Sequence, residues 1–437
     1  MPNGTYGGER GGAHKLPLLD FIKPIDILGF KMYNVKNERV KTMKIYADNA
    51  ATTKMSQKAI DVMVEYMNSY YGNPSSLYTV GQVAKEKLEE ARAEIASIIN
   101  ANPREIIFTS GGSEADNQAI ISAAEAGRKK GKNHIISTAF EHHAVLHTLE
   151  KLQKQGFEVT LLPVHSNGIV DVSELEAAIT DKTALVTVMT VNNEIGTIQP
   201  IEEIGKLCRE RNILFHTDAV QAVGHLPIDV QAQNIDMLSA SAHKFHGPKG
   251  VGFLYARKGV ILKNLIEGGA QERGKRAGTE NVAGIASMAA ALRESVENME
   301  SVKARLLPVR DRLISGLSEI PHSALNGDAD SRVYSNVNFS FEGIEGESLL
   351  ILLDQKGICA SSGSACTSGS LDPSHVLLSI GRVHEVAHGS LRLSLDDNAT
   401  AEEADYIIDA VKEVVEHLRG FSPVWRDLVS GKQKFIL

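Results

Sequence analysis

The sequence predicts an α/β fold, with a large domain on a mostly parallel, seven-stranded sheet and a smaller α+β domain. Between residues 57 and 299, short apolar runs alternate with helical patterns. Continuous apolar strands separated by helices are typical of a parallel sheet that is covered on both faces. From residue 301 the pattern changes to alternating strands and long helices, which predicts the second, smaller domain.

Seven apolar runs are predicted as strands of the large sheet, because each is short and bounded by turn residues. They are residues 105–109, 134–138, 159–163, 184–190, 213–217, 237–240 and 251–255. Helical patterns, such as residues 83–99 and 172–178, lie between them. Ligands of such sheets bind beyond the carboxyl ends of the strands, and the chemically distinctive residues of this sequence follow those ends.

The smaller domain is predicted to contain a helix over residues 301–317, strands over 335–341 and 390–394, and a helix over 401–418. We expect the large domain to span residues 57–299, and the small domain to combine 43–56 with 300–437. Residues 1–42 lack periodicity and are expected to be a disordered or non-native extension. They show no signal-peptide pattern.

Composition limits the classes of function. The chain has 437 residues and a formal net charge of −8, so a nucleic-acid-binding surface is not expected. No apolar run reaches membrane-spanning length. The three cysteines, Cys208, Cys359 and Cys366, favour a reducing, cytoplasmic location over a disulfide framework. Cys208 and Cys359 lie in apolar patterns and are predicted to be structural, and none of the cysteine spacings indicates a zinc site.

The most informative pair is Lys244, in the run SASAHKFHGPKGVG, and Asp218, 26 positions before it. Pyridoxal phosphate (PLP) chemistry needs both residue types. A lysine amine bonds to the cofactor aldehyde, and a carboxylate keeps the pyridine nitrogen protonated. A lysine taken alone is more often a surface residue, but the pair together with the motifs below favours PLP.

A small-residue segment, TSGGSEADN at residues 109–117, follows a predicted strand and opens a helix. Its backbone amides and the Ser113 hydroxyl could hold a phosphate at the helix N-terminus, with Gly112 allowing close approach. Ser241 and His243 could supply further donors. A glycine-rich turn with a helix cap explains the segment better if it is considered by itself.

Other polar residues also follow strands. An imidazole at His142 could stack on a cofactor ring and move protons, although a histidine at a strand end is usually structural and His143 is an equal candidate by position. Amides at Asn193 and Gln221 could donate to the phenolic oxygen of PLP. The alternative for Asn193 is ordinary turn chemistry.

Two residues of the smaller domain have functional interpretations. Arg392, in an alternating strand, could hold a substrate carboxylate, and a surface salt bridge is equally compatible with that segment. Cys366 lies in residues 360–375, a run of small residues that predicts a mobile, exposed loop. A buried structural cysteine is not normally found in such a run, so Cys366 is the candidate reactive thiol.

Taken together, these residues resemble the NifS/IscS cysteine desulfurases, which belong to the class V aminotransferase superfamily of PLP enzymes with fold type I. The resemblance runs from about Met43 to Trp425, and the loop around the cysteine is similar to the NifS/IscS subgroup rather than the SufS subgroup. The segments that carry it are residues 46–53, 72–76, 109–114, 141–142, 192–196, 272–279 and 361–366, with the Asp218 and Lys244 runs.

The resemblance implies conversion of L-cysteine to L-alanine, with sulfur passing through a persulfide on Cys366 to an acceptor. It implies these roles: Lys244 binds PLP; Asp218 pairs with the pyridine nitrogen; His142 stacks and moves protons; Asn193 and Gln221 attend the phenolic oxygen; Gly112, Ser113, Ser241 and His243 hold the phosphate; Thr279 reaches the phosphate of a second subunit in a homodimer; Arg392, with Asn193, binds the substrate; and Cys366 is the nucleophile.

The acceptor implied is an iron–sulfur scaffold protein of the NifU/IscU type, or else a tRNA-thiolation protein. No metal is implied in the enzyme itself, although Cys366 could contact a transferred cluster. The sequence departs from the family pattern at Tyr78, where a histidine is frequent, and at Ser113, where threonine is common. These departures leave the fine geometry of the pocket open.

Rival functions remain on the same scaffold. A selenocysteine lyase or an aminotransferase shares the PLP residues, but an aminotransferase needs no cysteine nucleophile. A binding protein without turnover would be expected to lack Lys244 or Cys366, and both are present.

Overall fold

The computed structural model describes residues 44–362 and 373–437. The predictions for residues 1–42 and for Cys366 therefore lie outside the described residues. Within the described ranges, no helix combines the length and apolar character needed to cross a bilayer.

The secondary structure alternates strands and helices through most of the chain. The strands are β1 (Ile45–Tyr46), β2 (Ile106–Thr109), β3 (His134–Thr138), β4 (Glu158–Leu162), β5 (Thr183–Thr187), β6 (Leu214–Asp218), β7 (Met237–Ser241), β8 (Gly252–Ala256), β9 (Ser323–Leu325), β10 (Asn336–Phe341), β11 (Ile358–Cys359) and β12 (Ser390–Ser394). The α-helices are α1 (Gln57–Ser69), α2 (Thr79–Ile98), α3 (Gly112–Arg128), α4 (His143–Lys154), α5 (Val172–Ala178), α6 (Ile201–Glu210), α7 (Gln271–Gly274), α8 (Val282–Ser318), α9 (Gly346–Gln355), α10 (His375–Ser379), α11 (His384–His388), α12 (Ala401–Phe421) and α13 (Pro423–Val429).

A seven-stranded sheet in the order β2-β8-β7-β6-β5-β3-β4 organises the larger part of the fold. Its neighbours are parallel except at β8, which is antiparallel to β2 and β7. The predicted mostly parallel sheet is thus confirmed. The predicted strand over 184–190 is too long, because regular pairing ends at Thr187. From there the chain leaves the ladder while still bonding to β6, with the Thr190 amide 2.9 Å from the Asp218 carbonyl oxygen.

Neighbouring residues of a strand enter different cores, which is why apolar residues occupy consecutive positions in several strands. On β2, Ile107 joins a cluster with residues of α3 and α4, whereas Ile106 and Phe108 join the larger cluster on the other face. Both faces of the sheet are therefore covered, as continuous apolar strands require.

A second, antiparallel sheet has the order β12-β10-β9, and β1 pairs with β11 in parallel. The helix predicted over 301–317 begins much earlier, at Val282, with the Asn281 side chain accepting from the Gly284 amide as an N-cap. The alanine-rich segment after Val282 favours helix, so a single helix passes through the predicted domain boundary at 299/300. That division into domains stays a prediction.

Candidate active site

The carboxyl edge of the large sheet gathers most of the predicted site residues, because β2, β3, β5, β6 and β7 all end there. The turn after β2 forms a close-packed cradle. Gly111 has φ 152° and ψ −176°, a conformation available essentially to glycine alone. A Cβ on Gly112 would lie 2.5 Å from Val220 Cγ2, and one on Gly111 would lie 3.4 Å from Ser241 Oγ.

The cradle opens α3 without a capping side chain, since its N-cap residue is Gly111. First-turn amides with a helix dipole behind them favour an anion. Ser113 is exposed and Ser241 is buried on either side of this turn. The segment can therefore serve as a phosphate site, and the alternative of an ordinary side-chain cap does not apply here.

Lys244 ends a 3₁₀ turn that follows β7. Its amine donates to the carbonyl oxygens of Ala50 at 2.5 Å and Ala51 at 2.9 Å. The Gln221 side chain donates to the same Ala50 oxygen at 3.0 Å. Lys244 and Gln221 thus meet at the loop after β1, and His243 is bound to that loop through Thr52, at 3.1 Å.

Asp218 is the last residue of β6 and is buried. Its Oδ1 accepts from the Val220 amide at 2.9 Å. Burial raises the pKa of Asp218 to about 6, against the opposing effects of that hydrogen bond and of the Lys244 charge. A carboxylate that is costly to bury and lies near a lysine is typical of a functional site.

Two further titratable side chains, Asp116 and His216, are buried close to each other near Asp218. Asp116, on α3, has its pKa raised well above the usual value, first by burial and then by the charge of Asp218. Its Oδ1 is 3.7 Å from His216 Nε2 and has no hydrogen-bond partner among the residues that the structure describes. His216 bonds Thr187 at 2.8 Å and Ser239 at 3.0 Å. Burial lowers the pKa of His216 to about 3, so this imidazole is neutral.

Glu141 and His142 follow β3. Glu141 accepts from the Thr138 hydroxyl at 2.7 Å and from the Met189 amide at 3.0 Å, and burial raises its pKa to about 8. His142 caps α4, with its Nδ1 accepting from the Ala144 amide at 3.1 Å. Burial and then the Lys244 charge lower the pKa of His142 to about 4. His142 is therefore a neutral imidazole whose Nδ1 carries no proton.

Arg392, in β12, is 2% exposed. One guanidinium nitrogen donates to Asp48 at 2.8 Å and another to the carbonyl oxygen of Asn193 at 3.1 Å. Its Nε is buried and has no hydrogen-bond partner within residues 44–362 and 373–437. Arg392 is consequently not a surface salt bridge, and its donors are only partly used by the described residues.

Two predicted residues stand apart from this arrangement. Thr279 is exposed, and its predicted role concerns a second subunit. Cys366 lies outside the described residues, although Ser361 and Ser374 on either side of its segment contact Arg392 and Glu194. The predicted structural thiol Cys208 is buried, and burial raises its pKa to about 12.

Sequence reasoning did not assign roles to Asp48, Asp116, Glu141, Glu194 or His216. The available signal was an acidic or imidazole side chain at or near the end of a strand that is otherwise mainly small or apolar, such as His216 in the run ILFHT. Burying such a group is costly unless it has a partner or a function.

Comparison with known proteins agrees with this geometry. The sequence pattern of the family Aminotransferase class-V matches residues 45–407. The cysteine desulfurase IscS of Clostridium botulinum (strain Hall) is 54% identical over 394 residues, covering 90% of this chain and 99% of that protein. Cysteine desulfurase IscS of Methanosarcina thermophila is 52% identical over 395 residues, covering 90% and 98%.

Among solved structures, a NifS-like protein superposes with a TM-score of 0.81 at 38% identity, covering 86% of this chain and all of that one. The family pattern, the sequence identity and the fold each extend over more than four-fifths of the chain. The chain therefore belongs to the class-V aminotransferase family and, within it, to the cysteine desulfurases.

Proposed function

We propose that this chain holds PLP through Lys244, with Asp218 at the pyridine nitrogen and the Gly112 turn around the phosphate, and converts L-cysteine to L-alanine. The observation that carries the proposal is the meeting of a buried carboxylate, a lysine amine and an uncapped helix N-terminus at one edge of the sheet. These three groups fit the cofactor, because the amine suits its aldehyde, the carboxylate its pyridine nitrogen and the helix N-terminus its phosphate. PLP supplies an aldehyde for the substrate amine and a ring that accepts its electrons.

The chain's own residues would then bind the substrate and move its protons. Arg392, whose buried Nε donates to none of the described residues, binds the substrate carboxylate, aided by Asn193. The Lys244 amine removes the α-proton and returns it to the carbon skeleton. His142, neutral and near Lys244, can accept and give back a proton. His142 would also stack on the ring, while Gln221 and Asn193 attend the phenolic oxygen, and Ser113, Ser241 and His243 join the phosphate site.

We assign sulfur extraction to Cys366. Its thiolate attacks the substrate sulfur, the substrate C–S bond breaks, and an S–S bond forms on Cys366. L-cysteine and the Cys366 thiol thus become L-alanine and a Cys366 persulfide, with no further oxidant or reductant. Replacing Cys366 with serine should keep the visible absorbance of bound PLP and abolish sulfide release. Full activity of that variant would assign the chemistry to another thiol.

The proposal extends to a homodimer in which Thr279 reaches the second subunit's phosphate. Its support is a short segment before α2 that exposes three large side chains: Tyr71, Leu77 and Tyr78 are 74%, 95% and 63% exposed. Thr279 is exposed as well. Several large exposed apolar side chains in one short segment favour an interface. Light scattering should give twice the chain mass for the wild type and a lower mass for Leu77→Asp. A monomeric wild type would contradict this part.

We propose that the sulfur acceptor is an iron–sulfur scaffold protein of the NifU/IscU type, in the reducing cytoplasm, with a tRNA-thiolation protein as the alternative outcome. The relatives named IscS support this choice. Transfer of ³⁵S from labelled cysteine to a purified scaffold, and not to a purified tRNA-thiolation protein, would sustain it. Labelling of the thiolation protein alone would replace it.

A further inference from the structure

The segment that contains Cys366 is held at its C-terminal end by a buried contact. Ser374 is 4% exposed, and its hydroxyl donates to the Glu194 carboxylate, which is also 4% exposed. The next residue, His375, bonds through Nε2 to the carbonyl oxygen of Glu141 at 2.9 Å. Residues 374 and 375 thus contact two turns at the carboxyl edge of the sheet.

The N-terminal end of the same segment is attached to Arg392. The Arg392 amide donates to the Ser361 carbonyl oxygen at 2.6 Å, and the Ser361 amide donates to the Arg392 carbonyl oxygen at 3.2 Å. The side chain of Arg392 in turn donates to Asn193, the residue before Glu194. Arg392 therefore links the two ends: it pairs with one directly and reaches the other through the turn 192–196.

That turn is fixed independently of Ser374. The side chain of Asn192 accepts from the amides of Glu194 and Ile195 at 2.9 and 3.0 Å. The Glu194 carbonyl oxygen accepts from Asn336 and Asn338, on β10, at 3.2 and 3.0 Å. The Glu194 carboxylate thus projects from a rigid support, which is what a side chain needs in order to fix the position of another.

A carboxylate is a costly choice at this position. Glutamine or an apolar residue would be cheaper to bury, because an isolated buried carboxylate loses its hydration. Burial raises the pKa of Glu194 to about 7, with the Ser374 hydrogen bond and the Arg392 charge opposing that rise. The unfavourable burial of a carboxylate thus occurs at Glu194, which interacts with both Arg392 and Ser374.

We propose that Glu194 is a positioning residue for sulfur transfer, which holds Ser374 so that the segment containing Cys366 ends at a fixed place relative to Arg392. The inference rests on the proposed function, because it assigns the substrate to Arg392 and the nucleophile to Cys366. Its consequence is kinetic: the contact speeds the attack of the thiolate on the substrate sulfur, and it leaves substrate binding unchanged.

The test uses the holoenzyme and four variants: Ser374→Ala, Ser374→Thr, Glu194→Gln and, as a control, the exposed Glu202→Gln on α6. Two quantities are measured. One is alanine formation, as kcat and KM for cysteine. The other is the rate at which iodoacetamide alkylates Cys366 in the absence of cysteine, followed by peptide mass spectrometry. The second readout does not depend on turnover.

Ser374→Ala should lower kcat about tenfold, the size expected for losing a hydrogen bond to a charged group, with KM within about twofold. It should also change the alkylation rate of Cys366 by a factor of about three or more. Ser374→Thr keeps the hydroxyl and should retain most of the wild-type kcat. The kcat of Glu194→Gln should lie between the values for Ser374→Ala and the wild type, and Glu202→Gln should match the wild type.

Wild-type kcat and wild-type alkylation in Ser374→Ala would overturn the inference, as would a rise in KM that accounts for the whole loss. If Ser374→Ala does not fold, Glu194→Gln carries the same test. An inactive wild type, or an active Cys366→Ser variant, would instead sink the proposed function, and the alkylation rates would still decide whether Glu194 restrains the segment.

Discussion

The two edges of the large sheet differ in how their charged side chains are exposed and paired. At the amino edge of β5, β6 and β7 lies a cavity of about 590 Å³ whose lining includes Lys129, Lys130, Lys132 and Lys263. Two of its cations are partly exposed and paired: Lys263 with the partly exposed Glu125, and Arg257 with the buried Asp236 at 2.5 Å.

At the carboxyl edge, by contrast, Asp116, Glu141 and Asp218 are buried together, and burial raises the pKa of each. Exposed ion pairs contribute little to stability, and burying a carboxylate opposes it. A search for the functional site by cavity volume would select the amino edge. The burial of titratable groups directs the search to the carboxyl edge, where the motif residues also lie.

The sharpest contrast compares two lysines. Lys244→Ala at the carboxyl edge should abolish the visible absorbance of bound PLP and lower kcat by roughly a thousandfold or more, because it removes both the covalent attachment and the proton-transferring amine. Lys263→Ala at the amino edge removes only a surface ion pair and should leave both unchanged. Absorbance spectra and alanine assays on the two variants decide this, and a coloured, active Lys244→Ala enzyme would end the comparison.

A carboxylate pair gives the next largest effect. Asp218→Asn should lower kcat/KM at least about 100-fold, because an amide cannot keep the pyridine nitrogen protonated. Glu125→Gln, at the amino edge, should stay within about twofold, since exposed pairs are weak. Steady-state kinetics with cysteine measure both, and equal activities for the two variants would remove Asp218 from the proposed site.

The two ends of α3 offer a packing comparison. An added Cβ would lie 2.5 Å from Val220 at Gly112 and 2.4 Å from Ala184 at Gly127. Both alanine variants should lose about 1–3 kcal/mol of stability from crowding. Only Gly112→Ala should also weaken PLP binding, which titration of the apoenzyme with PLP would measure. Equal PLP affinity in both variants would argue against the phosphate cradle.

The last comparison is a pH dependence of the free energy of unfolding. The Glu194 pKa is about 7 in the folded protein, against an ordinary value of 4.5. Between those values the folded state keeps a proton that the unfolded state has released, so stability is full below about pH 4.5 and falls as pH rises through 7. The upper limit of the loss is about 3 kcal/mol.

The glutamine of Glu194→Gln does not titrate, so this variant should gain stability relative to the wild type as the pH rises from 5 to 8. Urea unfolding at the two pH values measures the difference, with Glu125→Gln as the exposed control. If the free energies of unfolding of Glu194→Gln and the wild type differ by the same amount at both pH values, the pKa of Glu194 is not raised by burial.

Local sequence patterns predicted most of the fold. Strands such as β3 and β12 were predicted with their observed ends, because continuous or alternating apolar residues and flanking turns determine them. The start of α8 was missed, since its alanine-rich first half carries a weak amphipathic signal. Lys244, Asp218 and the Gly112 turn could be recognised because each belongs to a compact motif.

Long-range pairs could not be predicted in the same way. Ser374 and Glu194 lie 180 positions apart, and Arg392 and Asp48 lie 344 apart. The first contact depends on how the residues before α10 pack against the turn after β5, and the second on how β12 packs against the loop after β1. No local pattern reports either packing. Asp116 was predicted to lie on a helix, but which face of that helix meets Asp218 is decided by the packing of α3.

The central claim is that an amine at Lys244 and a thiol at Cys366 act on the same molecule of cysteine. The direct measurement is the mass of the Cys366 peptide after the holoenzyme reacts with one equivalent of L-cysteine, without reductant. The account predicts the addition of one sulfur atom at Cys366, an equal amount of alanine, and neither product in Lys244→Ala. Alanine formed while Cys366 stays unmodified would contradict it.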